Sequence, residues 1–434
     1  MTSDATAGPG RGTAMSNVAA HIQYREAYDA LTRAFGTSGP RVGLQHSLGS
    51  DVQISRHQFI SAHWDVHPEE GMGSQDPTYR ALVAYYLEQN PHSYRHFFRE
   101  LHSPDREIPE NREFEYYVFA PPSAAPHQRA TLLLHGLNEK SWSKYLPWAL
   151  RLTELTGAPV ILFPIAFHMN RAPAAWSHPR EMMQVVKERR RLFPGLAAGS
   201  FANAALSHRV QFAPHRFLTS GLQSFNDVVD LVANVVSGSH PVFARNARVD
   251  IFAYSVGVLL AQVLLMRNPH NHFAASRAFF FAGGAVLDAA NPVSKTIMDA
   301  QAYQTMTRFL GQLAAAPDLA LPELKPLLAR YREEIDLFRC LLFTDHLRDE
   351  RERAIAPVAD RLQGLLLERD RVFSPAATRN SWQTTQGSSR FQMEAIAPAY
   401  EYTHEQPFPV RSDNPDAVHH TFETVMEHAA HHLG

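Results

Sequence analysis

The sequence predicts an α/β fold, a mostly parallel central sheet with helices on both faces. Two observations carry this. Residues 130–134 (ATLLL), 159–165 (PVILFPI), 277–281 (RAFFF) and 364–367 (GLLL) are near-continuous apolar runs, the pattern of strands buried on both faces of a covered parallel sheet. Amphipathic helical stretches separate such runs at the spacing of βαβ units.

Residues 1–20 are rich in Gly, Ser, Thr and Ala with no apolar core. They are expected to be a disordered tail and do not resemble a secretory leader. Residues 21–111 are expected to form a mainly helical extension, with helical periodicity over 76–102 and Pro91 as a break. From 112 the texture changes. Residues 114–120 (FEYYVFA) read as an extended segment, 130–134 as a central strand, 143–155 as a helix stopped by Gly157, and 159–165 as the next strand. Residues 170–220 are rich in Pro, Arg and Ala and read as an insertion. A helix is expected at 224–236, a strand at 249–254, a helix at 256–266 and a strand at 277–281. A second insertion, 287–353, carries helical patterns near 295–314 and 322–343. Strands at 364–367 and 391–396 and a helix at 415–433 close the chain.

The formal net charge is −2 over 434 residues. Without a basic excess or a basic tract, a nucleic acid or an anionic membrane surface is not expected as a partner. The 45% hydrophobic fraction sits at the globular average. One cysteine, Cys340, permits no disulfide within the chain, so nothing argues for an oxidising compartment. The longest nearly uncharged apolar stretch, 251–266, has 16 residues. A membrane span needs about 20, so no span is expected and the chain reads as cytoplasmic.

Chemistry concentrates at Ala253-Tyr254-Ser255-Val256-Gly257. A nucleophilic serine at the tip of a strand-to-helix turn needs small residues two positions away on each side, because backbones crowd there. It also sits at a helix N-terminus, which favours developing negative charge. Glycine is usual at both small positions, and here the first is Ala253. Upstream, His135-Gly136-Leu137 directly follows a buried strand. Downstream, Asp370 follows the strand at 364–367, and His404 comes later still. Taken alone, each has a plain alternative: a helix-capping serine, a strand end, a turn aspartate.

Together, Leu132-Leu133-Leu134-His135-Gly136, Ala253-Tyr254-Ser255-Val256-Gly257, Gly364-Leu365-Leu366-Leu367 with Asp370, and His404 resemble the α/β-hydrolase superfamily, in the order nucleophile, acid, histidine. The resemblance covers roughly residues 112–434. The N-terminal extension and the two insertions fall outside it. It implies a Ser255–His404–Asp370 triad, an oxyanion hole formed by the backbone N–H groups of Leu137 and Val256, and a cap formed by 287–353. It implies no metal and no organic cofactor.

Histidine is abundant, with 24 residues. His419 and His420 are rivals for the base. His404 is preferred because 34 residues after Asp370 leave room for one helix and one strand, and Pro407 and Pro409 keep it out of a helix. His428, His431 and His432 have the spacing of metal ligands on a helix, but read as a solvated last turn. Cys340 reads as a core residue. His168, Asn170 and Arg171 follow the strand at 159–165 and are candidates for substrate binding. Arg171 is a potential partner for a carboxylate or phosphate, or equally a strut for the insertion.

The expected function is a serine hydrolase acting on a carboxylic ester, with a small acyl or ester substrate. An acyltransferase with the same triad, a peptidase, a C–C bond hydrolase and a non-catalytic binding protein remain alternatives. A dehalogenase would need Asp where Ser255 stands.

Overall fold

In a computed structural model, residues 23–35, 50–68, 81, 84, 88, 101–317, 324–382 and 391–434 are described. The expected tail and most of the expected helix at 76–102 lie outside them. The strands are β1 (Gln53–Ile60), β2 (Glu113–Ala120), β3 (His127–Leu134), β4 (Val160–Leu162), β5 (Phe243–Tyr254), β6 (Ala278–Phe281), β7 (Leu362–Leu367) and β8 (Gln392–Ile396). They form one sheet in the order β1-β2-β4-β3-β5-β6-β7-β8. β2 runs antiparallel to both its neighbours, and all pairs from β4 to β8 are parallel. This is the α/β-hydrolase fold.

The helices are α1 (Tyr24–Phe35), α2 (Leu146–Thr156), α3 (Pro179–Leu192), α4 (Ala204–Phe212), α5 (Arg216–Ser237), α6 (Val256–Arg267), α7 (Ala300–Ala315), α8 (Lys325–Arg330), α9 (Arg332–Cys340), α10 (Arg348–Ile355), α11 (Pro375–Trp382) and α12 (Pro415–Leu433). Gly157 stops α2 with φ 62°, a left-handed cap that glycine adopts without strain. Strand alternation sorts the core. Leu133, Phe252, Tyr254 and Phe281 pack against α1, α2 and α12, while Leu132, Leu134, Ile251 and Ala253 pack against α5 and α6.

The N-terminal region, expected to be a mainly helical extension, also contributes a strand to the sheet. β1 lies within it and pairs with β2 along its whole length, so the sheet begins before residue 112. The helix expected at 322–343 is interrupted at Tyr331, whose φ −113° and ψ 34° are non-helical, leaving α8 and α9. The first insertion carries α3 and α4, and the second lies between β6 and β7. The two are joined by a buried pair, in which Arg189 donates to both carboxylate oxygens of Asp299 at 2.7 Å. Asp299 also caps α7 by accepting the Ala302 N–H. Among the described residues no helix is long and apolar enough to cross a membrane.

Candidate active site

Ser255 sits between β5 and α6 with φ 57° and ψ −125°, a conformation that costs an ordinary residue of order 1–3 kcal/mol. Close packing holds it there. A Cβ added to Gly257 would lie 2.6 Å from the Leu134 carbonyl oxygen. One added to Gly283, after β6, would lie 2.7 Å from the Ser255 carbonyl oxygen. Both glycines let neighbouring backbone approach the turn. Ala253 is fully buried, in register with Leu134 and Phe280, so its methyl is accommodated on the strand side.

β7 delivers Asp370 and the loop after β8 delivers His404. His404 Nε2 lies 2.7 Å from Ser255 Oγ, and its Nδ1 lies 2.8 Å from Asp370 Oδ2. All three residues are buried. The other Asp370 oxygen accepts the N–H groups of Val372 and Phe373 at 2.8 and 3.0 Å, which fixes the carboxylate. An ionised carboxylate only accepts, so Nδ1–H donates to Asp370 and Nε2 is left to accept the Ser255 hydroxyl proton.

Tyr254 holds the imidazole from below. Its ring stacks on His404 with centroids 5.4 Å apart and planes 12° apart, and its hydroxyl donates to the His404 carbonyl. Lys144 pairs with Glu139 and donates to the Glu405 carbonyl at 2.9 Å, tying the β3 loop to the His404 loop. The sequence singled out none of these supports. Tyr254 was legible in principle, since strand alternation turns the residue before the nucleophile toward the α2 and α12 face.

Three successive N–H groups follow His135. That of Gly136 donates to Tyr145 Oη at 3.0 Å, and that of Asn138 donates to His168 Nε2 at 2.8 Å. Between them the Leu137 N–H has no acceptor among the described residues. The Val256 N–H, at the start of α6, has none either. His135 and His168 are neutral struts. Burial lowers His135 to about 3 and His168 well below its usual value. The His135 Nδ1–H faces the Gly136 carbonyl and its Nε2 accepts the Ile165 N–H.

The other candidates for substrate binding separate. His168 is buried, lines the cleft and pins the Asn138 backbone. Asn170 is exposed and donates to the Glu115 carbonyl. Arg171 is a correction. It is fully buried, donates to Asp227 at 2.7 Å and to the carbonyls of Pro164 and Asn111, and so has no free face for an anion. It is the strut for the insertion. His419 lies on α12 and accepts the Tyr24 N–H, and His420 on the same helix is exposed. His428 faces Glu394 and His432 faces the Arg361 carbonyl. Burial pushes the Cys340 thiol up to about 11, the state of an inert core thiol.

A cleft opens beside the site. Its walls are apolar, with Phe217, Leu222, Val256, Leu260 and Phe338 among them. A second lobe shares Leu137, His168 and Phe217 with the first. Neither lobe is lined by Ser255 or His404. Both approach them through Leu137, and the first also through Val256.

No curated protein matches the sequence. Solved structures with similar folds include a thermostable esterase from Pseudomonas putida ECU1011 (10% identity, 95% of this chain and 91% of that chain, TM-score 0.39). An esterase from Pyrobaculum calidifontis (14%, 80% and 92%, TM-score 0.35) is another. A carboxyl esterase from the mycorrhizal fungus Tuber melanosporum (11%, 74% and 81%, TM-score 0.36) is a third. Likenesses at this level concern the fold and carry no argument about activity. Residues 22–434 match one family throughout, described as a family of unknown function, and the chain therefore belongs to that family, DUF6051.

Proposed function

We propose that the protein is a serine hydrolase that cleaves a carboxylic ester through an acyl-enzyme. The observation that carries this is the continuous hydrogen-bonded line Ser255 Oγ, His404 Nε2, His404 Nδ1, Asp370 Oδ2 at a strained strand-to-helix turn.

In this reading Ser255 Oγ attacks the ester carbonyl as its proton passes to His404 Nε2. Asp370 stabilises the imidazolium and keeps the ring oriented. The carbonyl oxygen becomes an oxyanion held by the N–H groups of Leu137 and Val256, which have no acceptor of their own among the described residues. Collapse expels the alcohol, which takes the proton from His404. Water then attacks the acyl group with His404 again as base, releasing the acid and restoring the Ser255 hydroxyl. These steps use side chains and backbone of this chain throughout. The apolar cleft suits a hydrocarbon part of the substrate.

The test is turnover of p-nitrophenyl butanoate and hexanoate by wild type and Ser255→Ala. Hydrolysis by wild type that vanishes in the variant supports the reading. Equal rates in both would place any activity elsewhere.

A further inference from the structure

The second lobe is chemically unlike the first. Lys140, Arg209, Arg216 and Asp105 line it, three cations against one carboxylate. Asp105 is committed to the two arginines, because Arg209 donates to its Oδ1 and Arg216 Nε lies 3.1 Å from the same oxygen. Arg209 also spends a nitrogen on the Leu101 carbonyl, and its guanidinium lies 4.2 Å from the Trp176 ring centre. Lys140 is different. It is half-buried and has no acceptor among the described residues. Its neighbour Glu139 is taken by Lys144 and by the Tyr145 hydroxyl at 2.8 Å. Burial lowers the Lys140 ammonium to about 8, with Glu139 opposing, so it is still largely charged at pH 7. Asn138 lines the same lobe. It is 8% exposed, its Nδ2 is committed to the Ala202 and Thr296 carbonyls, and its buried Oδ1 has no donor among the described residues. A partly desolvated cation that lines a cleft without an acceptor is completed by an anionic group, whereas the Asn138 Oδ1 is itself an acceptor and would take a hydrogen-bond donor of the ligand, not its charge.

We propose that this lobe binds an anionic group of the substrate at Lys140, so that the ester cleaved has an apolar part in the first lobe and a carboxylate or phosphate in the second. The proposal rests on the hydrolase reading for the word substrate, but the anion site is testable without turnover. Both lobes are lined by Leu137, one of the two residues assigned to the oxyanion, so a carbonyl placed there adjoins both. A charge-assisted contact of this kind is worth about 10- to 100-fold in affinity.

The experiment has two arms. In the first, hexanoate, hexyl phosphate and hexanol are titrated calorimetrically into Ser255→Ala protein and into the double variant with Lys140→Met. An anion is expected to bind at least about tenfold more tightly than hexanol, and to lose that advantage with Lys140→Met. Whichever of hexanoate and hexyl phosphate binds more tightly identifies the group. In the second arm, kcat/KM is compared for monobutyl succinate and the neutral butyl methyl succinate. Wild type is expected to favour the anionic ester by about tenfold or more, and Lys140→Met to collapse that ratio. General damage to folding lowers both rates and leaves the ratio, and Lys140→Arg should restore part of it. Cleavage of esters with no Lys140-dependent anion preference in either arm overturns the anion site and leaves the hydrolase reading standing. Lys140-dependent anion binding without cleavage of any ester overturns the hydrolase reading and leaves the anion site.

Discussion

Gly257→Ala is the sharpest probe of the turn that presents Ser255. The new Cβ would sit 2.6 Å from the Leu134 carbonyl oxygen, 2.8 Å from its carbon and 2.9 Å from the His135 carbonyl oxygen. Ordinary contact begins near 3.4 Å, so backbone must yield by several tenths of an ångström. The yielding atoms are the end of β3, held on both sides by β4 and β5 and three residues from Leu137. Overpacking of this kind costs about 1–3 kcal/mol. Unfolding entropy of about 2.1 cal/mol/K per residue over 434 residues gives about 0.9 kcal/mol/K, so the melting temperature should fall by only about 1–3 °C. Activity should suffer far more, because misplacing reacting groups by up to 1 Å costs about 100-fold. The assay is the second-order rate of labelling by a fluorophosphonate, beside a thermal melt. Ala253→Gly is the control. It restores the smaller residue, should label at close to the wild-type rate, and should cost about 1 kcal/mol or less in backbone entropy. If Gly257→Ala labels and melts like wild type, no tight turn presents Ser255 and the reasoning fails.

Asp370→Asn should lower kcat by up to about 10,000-fold while the melt changes little, because the amide cannot hold the imidazole in the tautomer that leaves Nε2 free. An intact rate in Asp370→Asn would remove Asp370 from the triad. Arg171→Met should destabilise by about 3–5 kcal/mol through the stranded Asp227 carboxylate, measured as a shift in guanidinium midpoint, without changing the preference between anionic and neutral esters; a changed preference would return Arg171 to the substrate. Acid should unfold the protein early. Burial holds His102, His135 and His215 down at about 3 and His240 at about 4, whereas the unfolded chain takes up those protons near 6.5. Stability is therefore complete above pH 6.5 and falls below it, by about 1.4 kcal/mol per pH unit for each histidine. A guanidinium midpoint that stays flat from pH 7 to pH 5 would contradict this.

The parts of the molecule legible in the sequence are those specified locally. β3, β6 and β7 announce themselves as apolar runs because both their faces are covered, and Gly157 marks the end of α2 by its left-handed cap. The Ser255 turn is legible because crowding demands small residues at fixed offsets, and the loops bearing Asp370 and His404 follow from strand order. β1 was illegible for the opposite reason. Gln53–Ile60 is an edge strand whose residues are mostly exposed or half-buried, so QISRHQFI carries no apolar run. Arg171 shows the limit of reading a charge from its place on a strand end. Its burial depends on Asp227, 56 residues away, and no local pattern encodes that pairing. The same holds for Arg189 with Asp299, which joins the two insertions, and for Lys140, which lines a cleft with no acceptor among the described residues.

The central claim is that His404 and Asp370 activate Ser255 as a nucleophile, and intact-protein mass spectrometry after exposure to a fluorophosphonate tests it most directly. The account predicts one adduct on wild type, mapped by peptide analysis to Ser255, absent from Ser255→Ala and slowed by at least about 100-fold in His404→Ala. A wild-type protein that stays unlabelled while folded, or an adduct that persists in Ser255→Ala, would contradict it.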